Sequence, residues 1–236
     1  MRRPPDLRRV LHYPVTGGAG LLAVVATVAF QARPESVEAM LVTPDAFRAE
    51  PWRLLLSALP HGGILHIAFN LYWLWVFGTI IEDTCGWARM LLFTAILAAG
   101  SSAAEYAVFS GGIDLSGVVY GLFGLLWVLG RRDMRFFGVV DRATVRLFMG
   151  WFVLCIVLTY LDVLRIGNVA HAAGLGLGAM LAECLAGLDP GERVVVEHPR
   201  RRTRRLAFTA ALPVVLVGLY LVAACARDYV NLAGTF

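Results

Sequence analysis

An all-α bundle of membrane-crossing helices is the fold class that this 236-residue chain predicts. Three observations predict it. Hydrophobic residues make up 58% of the chain and charged residues 16%, with a mean hydropathy of +0.69. A soluble domain has too little interior to hide so much apolar surface. The apolar residues also gather into seven stretches, at roughly 15–32, 61–81, 88–108, 116–130, 146–164, 168–187 and 206–226. Most approach the ~20 residues, at ~1.5 Å each, that cross hydrocarbon as a helix. The third observation is charge. All 21 basic residues are arginine, and sixteen of them fall in alternate connections against five in the others.

Arg2, Arg3, Arg8 and Arg9 precede the first stretch, which reads as a membrane anchor or a secretory leader. No small-x-small cleavage site follows it, so the anchor is the reading adopted. Arg89 lies between the second and third stretches, and Arg131, Arg132, Arg135, Arg142 and Arg146 follow the fourth. Six more arginines lie between 193 and 205, whereas the alternate connections hold only Arg33, Arg48, Arg53, Arg165 and Arg227. By the positive-inside rule the N-terminus is cytoplasmic and the C-terminus lies outside; the membrane expected is a bacterial inner (plasma) membrane. The fourth stretch is short for a span. It suits a site where the preceding polar loop dips to membrane depth within protein, which places Ser116 at a helix N-terminus facing a cavity.

Two other features are bland. Cys85, Cys155, Cys184 and Cys225 form neither a spaced metal set nor a disulfide framework. The run Arg200-Arg201-Arg202-Thr203-Arg204-Arg205 resembles a nucleic-acid patch in composition. Beside a membrane segment it reads better as a stop signal touching anionic headgroups, so lipid rather than nucleic acid is the expected partner.

Chemistry concentrates in three places. Ser116 opens Ser116-Gly117-Val118-Val119-Tyr120-Gly121-Leu122-Phe123-Gly124, and His171 lies in Ala170-His171-Ala172-Ala173-Gly174-Leu175-Gly176-Leu177-Gly178. A hydroxyl or imidazole inside an apolar run is costly unless partnered, which marks it as functional by default. Serine needs a neighbouring base to become a nucleophile. His171 can serve if the fourth and sixth stretches touch, and Gly117/Gly121 facing Gly174/Gly178 is a small-residue pattern that allows it. Tyr120, one turn beyond Ser116, is placed to stack on the imidazole. The plainer reading is a glycine-rich bundle whose serine bonds its own backbone. The third place is Pro60-His61-Gly62-Gly63-Ile64-Leu65-His66-Ile67-Ala68-Phe69-Asn70. His66 and Asn70 share a helix face and, with the Ser116 amide, offer donors for an oxyanion. His61 and His66 do not share a face, so a metal site is not expected.

Residues 48–187 resemble the rhomboid intramembrane serine proteases, in the family's order. Trp52-Arg53 is similar to that family's Trp-Arg signature, His61, His66 and Asn70 to its second-span pattern. Leu115-Ser116-Gly117 through Gly124 resembles its nucleophile helix, and Ala170-His171 through Gly178 its base helix. The resemblance implies a six-helix core in a single membrane domain, with 206–226 as an additional C-terminal helix. It implies Ser116 as nucleophile, His171 as general base, and Tyr120 as support for His171. His66, Asn70 and the Ser116 amide, with Gly117 in the adjoining motif, would form the oxyanion hole. It also implies a serine endopeptidase that cleaves single-span membrane proteins without metal, nucleotide or other cofactor. A catalytically inactive relative that binds membrane helices is the alternative. A transporter is disfavoured by the lack of duplicated halves, and an aspartyl protease by the neighbours of Asp114 and Asp162.

One residue departs from the family's Gly-x-Ser-Gly pattern: Asp114 stands where the first glycine belongs. Aspartate is among the few residues that tolerate positive φ, so the turn can survive. Its carboxylate either opposes a developing oxyanion or caps the following helix. Both outcomes are open from sequence.

Overall fold

A computed structural model describes residues 5–109 and 111–188. The architecture is all-α: α1 (Pro14–Ala32), the single turn α2 (Arg53–Leu56), α3 (Ile64–Cys85), α4 (Trp87–Phe109), α5 (Ser116–Leu129), α6 (Arg142–Tyr160) and α7 (Asn168–Leu188). No strand occurs among the described residues. Five of these helices are long and apolar enough to cross a membrane, and α5 is the short apolar one. The first six apolar stretches therefore appear as six helices of a polytopic bundle. The seventh, 206–226, lies outside the described residues.

Helix boundaries follow local chemistry. Gly86 has φ +86°, a conformation that costs a glycine little, and it lets α4 start immediately after α3. Asp141 caps α6 by accepting the Thr144 amide at 2.8 Å and its hydroxyl at 2.9 Å. That cap starts α6 at Arg142 rather than at the expected 146. Between α1 and α2 the chain makes two 3-10 turns, Pro34–Met40 and Pro44–Phe47. Arg53 ties this segment together: its guanidinium donates to the carbonyls of Glu38 (2.7 Å) and Leu41 (3.1 Å) and pairs with Glu50.

Helix α5 is the centre of the bundle. Every residue from Ser116 to Leu126 is buried, so this ~21 Å helix is walled off by protein rather than lipid. A helix too short to span alone is tolerable there, because its end groups meet protein partners. Its closest neighbour is α7. A Cβ on Gly174 would strike the Gly117 carbonyl oxygen, and one on Gly178 the Gly121 carbonyl oxygen. Backbone therefore lies on backbone at both steps. On the other side α3, α5 and α6 interlock through Trp73, Phe77, Phe123 and Phe148, with Phe123 stacked on Phe148 at 4.4 Å.

Candidate active site

The first turn of α5 and the first turn of α7 present the polar groups. Ser116 begins α5, and His171 is the fourth residue of α7. Their helices are pressed together by the paired glycines. The result is a contact of 2.7 Å between Ser116 Oγ and His171 Nε2, with both residues buried. That is ordinary hydrogen-bond distance, and a neutral imidazole nitrogen can accept the hydroxyl proton there. Tyr120 stacks on the imidazole, with ring centroids 4.5 Å apart and planes inclined 23°. The phenol is itself held by donating to the Phe148 carbonyl at 3.1 Å. The ring plane of His171 is thus set by packing. Its Nδ1 has no hydrogen-bond partner among the described residues.

The turn before Ser116 is clamped on two sides. The Asp114 amide donates to the Ser57 carbonyl at 3.2 Å. The Leu115 amide donates to His61 Nε2 at 3.4 Å. His61 is fully buried, and its Nδ1 lies 2.9 Å from the Leu59 carbonyl and 3.3 Å from Thr27 Oγ1. Burial holds the His61 imidazole below the usual histidine range, toward the neutral form that can accept from Leu115. His61 therefore pins the segment before α3 to α1 and to the turn that presents Ser116.

Asp114 has φ +119°, in the left-handed half of the map. Its carboxylate does not point to solvent. Oδ1 accepts the Ser116 amide at 2.5 Å, and Oδ2 lies 3.7 Å from His66 Nε2. Capping the helix and pointing inward, alternatives on sequence grounds, are both realised by one side chain. Asn70 is buried one turn beyond His66 on α3, and its amide nitrogen has no partner among the described residues.

Comparison with known proteins gives the family. Residues 48–187 match the family model described as Rhomboid domain. The chain belongs to the rhomboid family. Similar curated relatives are the "Rhomboid protease GlpG" of Pectobacterium atrosepticum, 35% identical over 154 residues (63% of this chain, 54% of the relative), and that of an Enterobacter species, 35% identical over 144 residues (58% and 49%). The Klebsiella pneumoniae protein of the same name is 34% identical over 137 residues (56% and 48%). The rhomboid chain spans about half the length of these relatives.

Within this rhomboid domain the structure brings together most of what the sequence singled out. Ser116, His171 and Tyr120 meet directly, Gly117 lies at the α5–α7 contact, and His66 reaches Asp114. Among the described residues no cluster of His, Cys, Asp or Glu has metal-binding form. Sequence reading missed Glu105 on α4. This buried carboxylate accepts the Ala170 amide at 2.8 Å and caps the helix that carries His171. A charge inside an apolar run was the available signal. The partner was not legible, because it comes from 65 residues away.

Proposed function

We propose that this chain is an intramembrane serine endopeptidase, with Ser116 and His171 as a catalytic dyad and transmembrane segments of single-span membrane proteins as substrates. The single observation that carries this reading is the 2.7 Å approach of Ser116 Oγ to His171 Nε2 in a protein-lined interior. With its proton on Nδ1, the imidazole takes the hydroxyl proton at Nε2 as Oγ attacks the scissile carbonyl. The same nitrogen then gives that proton to the leaving amine. A water molecule entering from the outer face releases the acyl group by the reverse sequence. Tyr120 keeps the ring in plane through both transfers, a task that a third acidic residue performs elsewhere.

His66, Asn70 and the Ser116 amide are the donors available to the tetrahedral oxyanion. The partnerless amide of Asn70 supports that assignment, since a buried donor left unpaired in the resting state suits one that acts later. The chain is an integral multi-pass membrane protein; its arginine pattern supports a cytoplasmic N-terminus, and the bacterial sources of its relatives support a bacterial plasma membrane. The second reading, an inactive relative that binds membrane helices, is favoured by one observation, the Asp114 carboxylate on the Ser116 amide.

Purified protein in detergent with a generic transmembrane reporter tests the proposal. Ser116→Ala and His171→Ala each abolish cleavage while the protein stays folded. His66→Ala and Asn70→Ala lower the rate by ~10²–10³ and leave Ser116 open to labelling by a fluorophosphonate. Undiminished cleavage by Ser116→Ala would dispose of the mechanism.

A further inference from the structure

Asp114 is the residue whose placement the proposed chemistry does not use and, as it stands, opposes. Three observations define it. Its backbone is held at φ +119°, a conformation that is strained for a side-chain-bearing residue and is kept only where the surroundings enforce it. The enforcement is visible in the amide bond to Ser57 on one side and in the His61–Leu115 bond on the other. The carboxylate then lies across two of the three donors assigned to the oxyanion. It accepts the Ser116 amide at 2.5 Å and sits 3.7 Å from the His66 ring nitrogen. Finally, the Asp114 side chain is only 10% exposed while that of His66 is 40% exposed, so the carboxylate is tucked in beneath a ring that borders solvent.

An oxyanion of a tetrahedral intermediate and a carboxylate ask for the same donors, because both are anionic oxygens seeking N–H groups. They cannot share the site, since like charges at that separation repel. Resting on the protease reading, we propose that Asp114 is an intramolecular occupant of the oxyanion site, an autoinhibitory contact that a bound substrate displaces before Ser116 can be acylated. A simple helix cap is a different matter. A cap stabilises α5 without touching the reaction, and an asparagine would serve as well.

The two are separated by Asp114→Gly and Asp114→Asn in the full chain in detergent. Glycine removes the occupant and relaxes the positive φ. Asparagine keeps the acceptor for the Ser116 amide and the tolerance of positive φ, and removes only the charge. Fluorophosphonate labelling of Ser116 and cleavage of a transmembrane reporter are measured for all three chains, with melting temperatures alongside and Ser116→Ala as blank. The expected order of labelling rate is Gly above Asn above Asp. Glycine exceeds wild type by at least about tenfold, the factor that 1.4 kcal/mol of barrier represents, and kcat rises while KM stays within about twofold. A stability effect alone would move the melting temperature and leave kcat in place.

Equal labelling rates in the three chains overturn this inference and leave the protease reading standing. So does a fall in rate for either variant with its fold retained. If Asp114→Gly does not fold, Asp114→Asn decides, and a labelling rate no greater than wild type overturns the inference. Labelling that appears in the variants and not in wild type upholds it where wild type still cleaves the reporter, because the substrate then displaces what the small probe does not; where wild type cleaves nothing, the inference is overturned and the natural chain takes the binding reading. Silence at Ser116 in every chain overturns inference and protease reading together.

Discussion

At the scale of single residues, polar groups in this bundle divide by whether their partners are complete. His61 is complete: one ring nitrogen faces the Leu59 carbonyl, and the other accepts from Leu115. Burial holds its imidazole below the ordinary histidine range, so the folded chain keeps it neutral. An unfolded chain takes up a proton there near pH ~6.5. Stability from this group is therefore fully present above that value and is lost as pH falls below it toward the folded-state value. The melting temperature in detergent should be flat from about pH 8 to 7 and decline under more acid conditions. His61→Gln should start lower, having lost buried hydrogen bonds of about 1–3 kcal/mol together, and show a shallower acid slope. Equal acid slopes in the two chains would clear His61 of the effect. Ser116 and His171 were legible from sequence because each interrupts an apolar run with a costly group. His61 was legible as part of the second-span pattern but its role was not, since its partners on α1 and before α5 are 34 and 54 residues away.

At the scale of elements, the α5–α7 contact sets the site. The paired glycines announced that contact in sequence, and the structure places Gly174 over Gly117 and Gly178 over Gly121. The four-residue spacing selected Gly174 and Gly178 on α7 and passed over Gly176, and the structure gives the reason. Gly174 and Gly178 have no room for a methyl group, whereas a Cβ on Gly176 meets nothing within 4 Å. The two classes predict opposite outcomes on one helix. Gly178→Ala drives a methyl into the Gly121 carbonyl and forces the helices apart, at a cost of ~1–3 kcal/mol or more. Because Ser116 and His171 meet across that interface, a shift of ~1 Å can cost ~10²-fold in rate, so kcat falls further than stability alone implies. Gly176→Ala leaves the contact intact and stabilises α7 by a few tenths to ~1 kcal/mol. Melting curves and kcat for the pair check this, and equal damage from both would refute the close approach. Helix ends were less legible than helix cores. The capping carboxylates Asp141 and Glu105 decide where α6 and α7 begin, and neither belongs to the hydrophobic pattern.

At the scale of the whole molecule, burial is uneven. Half of the apolar window of α3 and of α4 is buried, against 22% for α1 and 17% for α6. Helix α1 buries only Thr16, Ala23, Ala26 and Thr27, so packing alone holds it weakly. Polar ties at its two ends compensate. Near its start, Glu82 of α3 accepts the Val15 amide at 3.0 Å, the Thr16 amide at 2.9 Å and the Thr16 hydroxyl at 2.6 Å. Near its end, Thr27 and Gln31 reach His61. A carboxylate at a helix N-terminus satisfies amides that otherwise have no partner and suits the positive end of the dipole. Hydrogen bonds to charged groups contribute ~1.5–3 kcal/mol each. Glu82→Ala removes three at once and should lower the melting temperature more than His61→Gln does. Glu82→Gln keeps one acceptor oxygen and should fall between Glu82→Ala and wild type. The Glu82 hydrogen bonds run to α1 and not to Ser116 or His171, so the fraction that stays folded should cleave a reporter at 25 °C within a few-fold of wild type. Unequal losses settle the matter: a Glu82→Ala chain that melts normally yet cleaves slowly would mean that α1 acts on the site itself rather than on the integrity of the bundle.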